Sequence, residues 1–197
     1  MIKRIADSMV AFYAKNDYIA MHMRSSYAYG FEILLSTLMN VLAVLFVAFF
    51  FHSIIGAVFY MGSFILTRTV CGGYHAKSHL ACILLFTMIF VVFCFVIRMM
   101  DDRIVSLYNL VTSIVSGIVI WCVAPVEASN KPLSKGKRIK FRRLSLGVGV
   151  AYVAIAVLLY FDLLIALPSR VTVFAFSGEL AASVTMVLGA VENAGYC

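Results

Sequence analysis

The chain has 197 residues, of which 63% are hydrophobic and 13% are charged, and its formal net charge is +7. A soluble domain of this length is typically about half apolar and about a quarter charged, so this chain has too little polar surface to cover a water-exposed globule. The positive charge does not indicate nucleic-acid binding, because the Lys and Arg residues lie between hydrophobic runs, as they do in the cytoplasmic loops of membrane proteins. We therefore expect an integral membrane protein without a nucleic-acid partner.

Residues 1–28 alternate apolar and polar positions at helical spacing. Apolar residues recur on one side from Ile2 to Phe12, and basic residues such as Lys3 and Lys15 lie between them. This pattern predicts an amphipathic helix that lies on the inner membrane surface and contacts membrane lipids. A soluble helix packed on a loop is the alternative interpretation.

Six hydrophobic runs follow, and they predict an all-α polytopic membrane protein with a single membrane domain. The first two spans occupy residues 33–67, the next two occupy 80–123, and the last two occupy 144–191. The runs themselves are Ile33–Phe51, 54–67, Leu80–Ile97, Ile104–Val123, Leu144–Leu167 and Val171–Val191. Residues 68–79, between the second and third spans, are too polar and too glycine-rich to face lipid, so we expect a short irregular or re-entrant stretch there.

The distribution of basic residues predicts the orientation in the cell membrane. If the N-terminus is inside, the inner segments 1–32, 68–79 and 125–143 hold four, two and seven of the sixteen Lys and Arg residues, and the outer turns hold three. The positive-inside rule then puts both termini and the 68–79 stretch on the cytoplasmic side. Asp162 and Glu179 fall inside the last two apolar runs, where an acidic residue usually faces the bundle interior or a water-filled cavity.

The stretch from Arg68 to Cys82 holds two of the four histidines and two of the five cysteines. A cysteine attacks an amide carbonyl efficiently as a thiolate, which needs a nearby imidazole or an electropositive site. His75 precedes Cys82 by seven residues, and seven residues of straight α-helix rise about 10 Å, whereas proton transfer needs a contact of about 3 Å. The two residues can therefore act together only if the chain bends between them.

The sequence supplies the means for such a bend. Gly72 and Gly73 permit backbone conformations that are closed to other residues. Ser78 is a plausible N-cap for the third span, which would put Cys82 just beyond the first helical turn, near the positive end of the helix dipole. The glycine amides and Arg68 could stabilise an oxyanion on the attacked carbonyl.

Three alternatives to cysteine catalysis stay open at this point. His75, His79 and Cys82 have donor types suited to zinc, although a CxxC or HExxH core is missing. The histidines could instead satisfy backbone carbonyls at the membrane interface, with the glycines serving close helix packing. A small peptide transporter or exporter is also compatible with six spans and with Asp162 and Glu179 inside them.

Residues 125–143 form the one substantial polar loop in this prediction, with seven basic residues between Lys131 and Arg143. Such loops commonly fix topology and bind anionic lipid. The loop could also hold an acidic peptide against the inner face of the membrane.

The pattern resembles the AgrB family, the membrane cysteine endopeptidases of accessory gene regulator quorum-sensing systems in Gram-positive bacteria. The resemblance covers roughly residues 27–145 and has three parts. They are Tyr29-Gly-Phe-Glu32-Ile-Leu-Leu, then Arg68 with Gly72-Gly73-Tyr74-His75-Ala76 and Cys82, and finally Ala124-Pro125-Val-Glu127 with Asn130-Lys131-Pro132-Leu133.

The resemblance implies a reaction and a partner. Cys82 is expected to attack an AgrD-like precursor peptide and to release its acidic C-terminal tail, with His75 as base and then as acid. The acyl thioester on Cys82 would be captured within the precursor to give a cyclic thiolactone or lactone peptide. Arg68 and Gly73 carry over as supporting residues, and no cofactor or metal is implied.

The resemblance also implies two binding properties. A substrate with an acidic tail makes the basic loop a candidate peptide-binding segment, and a homodimer is expected. The candidate substrate-binding residues are Lys131, Lys135, Lys137 and Arg138.

Overall fold

The computed structural model describes residues 2–16, 23–73, 79–127, 134–163 and 169–194. Within these ranges the chain is helical and has no β-strand. The helices are α1 Ile2–Lys15, α2 Arg24–Phe50, α3 Ile54–Cys71, α4 His79–Met99, α5 Val105–Val123, α6 Lys135–Tyr160 and α7 Ser169–Ala194. A 3₁₀ turn, Asp102–Ile104, precedes α5. By length and composition, the six helices from α2 to α7 can each cross a membrane, which confirms the predicted all-α, six-span, multi-pass protein.

The chain divides into two compact units, and the first comprises Met1–Val47 and Ala76–Met88. Its N-terminal helix is amphipathic, with Ala6 and Val10 buried and Lys3, Arg4 and Lys15 exposed. The predicted helix over 1–28 is wrong in its extent, because α1 ends at Lys15 and residues 24–28 already belong to α2. The first transmembrane helix therefore extends beyond its apolar run.

The second unit comprises Ala48–His75 and Ile89–Cys197. In it, α3 and α7 run in the same direction, since Gly56 lies against Phe174 near their beginnings and Gly73 lies against Thr185 beyond the end of α3. Small residues allow this close approach, because a Cβ atom at Gly178 would collide with the backbone of Tyr60. Glycine at such positions lets transmembrane helices pack backbone to backbone.

Helix α5 is also parallel to α7. Asn109 Nδ2 donates to Thr172 Oγ1 at 2.8 Å near the beginnings of the two helices, and Ile120 and Met186 share a buried cluster further along. Helix α6 runs the opposite way, because its later residue Val153 faces Gly117 and its earlier residue Gly149 faces Ile120. Of the helices that lie wholly within the second unit, α3, α5 and α7 are thus parallel to one another and α6 is antiparallel to them.

The two ends of this bundle differ in chemistry. At the Asp102 end, named for its acidic residue, Arg170 pairs with Asp102 at 3.2 Å on an exposed surface. At the Gly72 end, α3 stops at a pair of glycines beside the segment Pro125–Glu127.

Three predicted boundaries are corrected by the structure. Helix α3 does not stop at Thr67 but continues through Arg68 to Cys71, and α6 begins at Lys135, inside the predicted 125–143 loop. Lys, Arg and Leu are good helix formers in water as well as in lipid, so the helix does not need to stop where the apolar run stops. The predicted span over 144–167 is too long, because α6 ends at Tyr160.

Candidate functional site

The C-terminal end of α3 leads into the predicted catalytic stretch. The Gly72 amide donates to the carbonyl of Arg68 at 2.9 Å and closes the last helical turn. Gly72 then has φ 77° and Gly73 has φ 153°. Both values favour glycine, which has no Cβ to clash in this region, so the two glycines turn the chain out of α3 ahead of His75. The predicted bend between His75 and Cys82 falls on residues 74–78, outside the described residues.

Gly72 is fixed by the segment that follows α5. The Val126 amide donates to the Cys71 carbonyl at 2.9 Å, and Gly72 and Val126 form an isolated parallel β-bridge. A Cβ atom at Gly72 would collide with the Val126 carbonyl oxygen. The close backbone contact therefore requires glycine here, independently of the positive φ angle.

Gly73 is fixed by α7. It is buried, and a Cβ atom added to it would lie 3.0 Å from Thr185 Oγ1. The turn is consequently held on one side by the 125–127 segment and on another by α7. Sequence reasoning identified the two glycines but missed Val126 and Thr185, which carry no catalytic group and lie about 50 and 110 residues further along the chain.

The segment 125–127 is itself tied to α6. The Arg142 guanidinium donates to the carbonyls of Ala124 and Trp121, the latter at 2.5 Å, so it caps the end of α5. Arg138 Nε lies 3.5 Å from Glu127 Oε1. These contacts join the basic beginning of α6 to the backbone that borders Gly72.

Ser145 completes the support of the turn. Its hydroxyl lies 2.8 Å from the carbonyl of Phe141 and 3.2 Å from that of Val70, just before the end of α3. Arg68 is partly buried one helical turn before Gly72, with its guanidinium carbon 5.6 Å from the centre of the Phe64 ring. All of these residues belong to the second unit.

Cys82 belongs to the first unit. It is a free, partly exposed cysteine and the fourth residue of α4, which begins at His79. Its position is thus in the first turn of a long apolar helix. The predicted partner His75 and the predicted cap Ser78 lie outside the described residues, as does Lys131.

The remaining candidate substrate-binding residues lie on a helix rather than a loop. Lys135 and Lys137 are exposed on the first turn of α6, and Arg138 follows them beside Glu127. Because these residues are helical, the distances between their positive charges are set by the helix and not by a flexible loop.

The two acids predicted inside the last spans have different environments. Asp162 is exposed in the turn after α6, with φ 53°, so its predicted place inside a span is wrong. Glu179 is fully buried in α7. The transport hypothesis had rested on both acids, and it now rests on Glu179 alone.

The described residues give no support to the zinc hypothesis. Among the described residues, no group of three His, Cys, Asp or Glu side chains is placed to hold a metal ion. His75, which that hypothesis needs, lies outside the described residues. Cys71 is buried with its thiol near Ser145.

The chain is similar to known proteins of one family. An AgrB-like protein of Clostridium perfringens strain SM101 is 26% identical over 144 residues, which are 68% of this chain and 67% of that protein. AgrB-like protein 2 of C. perfringens strain 13 is 27% identical over 136 residues, or 66% and 64% of the two chains. No solved structure matches significantly. The family model described as accessory gene regulator B matches residues 5–186, from the amphipathic helix through most of α7, and the chain therefore belongs to that family of quorum-sensing membrane proteins.

Proposed function

We propose that this protein is a membrane cysteine endopeptidase that removes the C-terminal tail of a precursor peptide and so leads to a cyclic quorum-sensing peptide. Membership of the accessory gene regulator B family supports this role. The observation that carries the proposal is the Gly72–Gly73 turn, which is held by Val126 and Thr185 and leads towards His75 in the sequence. This turn ends α3 ahead of His75, so α3 does not continue as one straight helix towards Cys82. The bend between His75 and Cys82 that brings the two side chains together stays a part of the proposal.

In the proposed reaction, Cys82 Sγ attacks the carbonyl carbon of the scissile peptide bond while His75 takes the thiol proton. When the C–N bond breaks, His75 gives that proton to the departing amine of the tail. The rest of the precursor stays on Cys82 as a thioester. A cysteine thiol or serine hydroxyl of the precursor then attacks this thioester, which restores the Cys82 thiol and closes a thiolactone or lactone ring.

Arg68 is the group that we retain for stabilising the oxyanion. The Gly72 amide is already bonded to the Arg68 carbonyl, so the predicted use of that amide as an oxyanion donor does not fit. The Arg68 guanidinium keeps its charge throughout the reaction, and a fixed cation near a developing negative charge lowers the barrier. The two glycines then act by ending α3 ahead of His75.

We assign the acidic tail of the precursor to the basic beginning of α6. Lys135 and Lys137 are exposed there, whereas Arg138 lies beside Glu127 and Arg142 caps α5. The two lysines are therefore the better candidates, together with Lys131. Attraction between exposed charges is screened by salt, so tail binding should weaken as ionic strength rises.

The same proposal orients the protein with the Gly72 end, the basic part of α6 and both termini on the cytoplasmic side. Lys and Arg are concentrated in the segments that this orientation puts inside. Cytoplasmic placement lets a newly made precursor reach Cys82 before export. Contact of α1 with lipid and formation of a homodimer belong to this proposal as well.

The proposal is tested with the purified protein in lipid nanodiscs and a short precursor peptide encoded beside its gene. The wild-type protein should release the tail, and mass spectrometry should find a thioester-linked peptide fragment on Cys82. Cys82→Ser and His75→Ala should each abolish cleavage without changing the amount of inserted protein.

Cys122→Ser is the matched control, because Cys122 is also a free cysteine but is exposed on α5, outside the proposed site. It should cleave at the wild-type rate. Normal cleavage by Cys82→Ser or by His75→Ala would rule out the mechanism. Lys135→Gln with Lys137→Gln should raise KM and leave kcat nearly unchanged, which separates tail binding from catalysis.

A further inference from the structure

Glu179 is an acidic residue in the middle of a transmembrane helix. Its relative exposure is 0%, and neither carboxylate oxygen has a hydrogen-bond partner among the described residues. No Lys, Arg or His occurs in the bundle segments 54–67, 105–123, 144–160 and 171–191. An unpaired carboxylate is costly in an apolar interior, so such a residue in a membrane indicates a functional site.

Three buried hydroxyl groups of the same bundle also lack hydrogen-bond partners among the described residues. They are Thr67 Oγ1 on α3, Ser116 Oγ on α5 and Ser183 Oγ on α7. Ser183 follows Glu179 by one helical turn and so lies on the same face of α7. The contacts between helices show where the other two hydroxyls lie along the axis of the bundle.

The contacts of α3 with α7 bring Thr67 to the level of the acid. Ser63 lies against Gly178, the neighbour of Glu179, and Gly73 lies against Thr185. Thr67 lies between Ser63 and Gly73 along the chain. Because the two helices are parallel, Thr67 corresponds to the part of α7 between those two contacts.

The contacts of α5 with α7 give the same level for Ser116. The hydroxyls of Tyr108 and Ser177 are 2.8 Å apart, and Ile120 shares a buried cluster with Met186 further along. Ser116 lies between these contacts on α5. Ser116 therefore corresponds to the part of α7 between Ser177 and Met186, which contains Glu179, and its side chain is buried.

Helix α6 contributes Tyr152 to this layer. Its ring centre is 5.9 Å from that of Phe176, and its hydroxyl lies beside those of Thr67 and Ser63 on α3. Helices α3, α5, α6 and α7 thus each carry a hydroxyl group in the part of the bundle that contains Glu179, the one acidic residue of the bundle segments 54–67, 105–123, 144–160 and 171–191.

The donor set favours one class of occupant. A proton would neutralise the carboxylate but would leave Ser116 Oγ and Ser183 Oγ without partners among the described residues, and buried polar atoms are rarely left unpaired. A divalent ion would retain an unbalanced positive charge beside a single carboxylate, and such ions are usually held by several carboxylates or waters. A monovalent cation matches both the charge and the oxygen ligands.

We propose that Glu179, with the hydroxyl oxygens of Thr67, Ser116 and Ser183, binds one alkali-metal cation inside the membrane bundle. The site joins α3, α5 and α7 at the level where their polar residues meet. Thr185, which holds Gly73, lies less than two turns beyond Glu179 on the same helix. Cation binding would therefore stabilise the helix on which the Gly72–Gly73 turn rests. The proposal does not depend on the proposed peptidase activity.

The test uses the full-length protein in nanodiscs made of uncharged lipid, with NaCl replaced by choline chloride at constant ionic strength. Radioactive sodium should bind with a stoichiometry of one ion per chain. The Tm should rise with NaCl concentration by on the order of 3 °C for each tenfold increase above the dissociation constant. KCl and LiCl, compared at the same ionic strength, give the order of preference.

Glu179→Gln should abolish sodium binding and the dependence of Tm on NaCl, whereas Glu192→Gln, at the partly exposed end of α7, should retain both. Thr67→Val and Ser183→Ala keep the charge and should each weaken sodium binding at least tenfold. If Glu179→Gln does not fold, these two variants test sodium binding in its place. The proposal fails if the wild-type Tm is the same in choline chloride and in every alkali chloride, or if Glu179→Gln binds sodium like the wild type. A protein that responds to pH alone would also overturn it.

Discussion

Helices α4 and α7 are both long enough to cross a membrane, yet they are opposite in burial. In the span of α4, 17% of the residues are buried, whereas in the span of α7 the value is 67%. From Leu80 to Ile97, α4 has Thr87 and two cysteines and is otherwise apolar. The buried polar residues of α7 are Thr172, Ser177, Glu179, Ser183 and Thr185.

The less apolar helix is therefore the more deeply buried one. Lipid tails are as apolar as Leu, so no hydrophobic force drives an apolar helix such as α4 into the protein. Small residues allow close packing, and polar residues need partners that lipid cannot offer. In this protein, a high hydropathy therefore identifies the transmembrane helices, and small or polar residues within those helices identify the side that faces the protein interior.

The largest effect is expected where the bundle supports the predicted catalytic stretch. Gly72→Ala would add a methyl group at φ 77°, against the Val126 carbonyl. We expect precursor cleavage to fall at least about 100-fold, equivalent to about 2.7 kcal/mol, with membrane insertion retained. Cleavage assays in nanodiscs measure this. Gly147→Ala is the matched control, since no atom lies within 4 Å of its added Cβ and it lies outside the basic beginning of α6; equal rates for the two variants would contradict the role of the turn.

The next effect concerns the tight contact of α7 with α3. Gly178→Ala would push a methyl group into the backbone of Tyr60, which cannot move aside as a side chain can. Overpacking of this kind should lower the free energy of unfolding by about 3 kcal/mol. Unfolding in mixed micelles measures the change. Gly62→Ala, on α3 with open space around its Cβ, should be neutral or slightly stabilising.

A smaller effect is expected at the cap of α5. Arg142→Ala removes the hydrogen bonds to the carbonyls of Trp121 and Ala124 and leaves them unpaired. A loss of about 1.5 to 2 kcal/mol in the free energy of unfolding follows from the charge-assisted character of these bonds. Arg143→Ala is the control, because Arg143 is exposed. Similar losses for both variants would mean that general charge, and not the cap, matters.

The smallest effect is expected at the Asp102 end. Asp102→Asn weakens an ion pair with Arg170 in which both side chains are more than half exposed. Exposed pairs contribute little, so the free energy of unfolding should change by less than about 0.5 kcal/mol. A loss as large as that of Gly178→Ala would contradict the conclusion that interior contacts stabilise this protein more than exposed polar groups do.

Much of the fold was predictable because the membrane imposes a strong rule. A span needs about 20 apolar residues, and the sequence has five runs of roughly that length and a shorter one over 54–67, which the structure extends to Cys71. Helix ends were less predictable, since Arg68 and Lys135 are good helix formers that extend their helices beyond the apolar runs. Asp162 was misplaced for the related reason that an apolar run around it does not itself indicate the turn after Tyr160.

Part of the candidate site was predictable from the sequence, and part was not. Gly72 and Gly73 were predictable as a bend, because glycine has conformational freedom that depends on residue type alone. Val126, Thr185 and Arg142 were not predictable as its supports, because their roles arise from contacts between distant parts of the chain. The roles of Cys82 and His75 stay predictions for the cleavage assay.

The sequence by itself determined the membrane class, the number of spans and the residue types at the Gly-Gly-Tyr-His stretch, since composition and local spacing are enough for these. Only the tertiary structure decided that Gly72 pairs with Val126, that the basic residues after Lys135 lie on a helix, and that Glu179 is buried while Asp162 is exposed. The physical reason is that lipid selects whole helices by their apolar length, whereas the interior of the bundle is selected by close packing and polar pairing between helices.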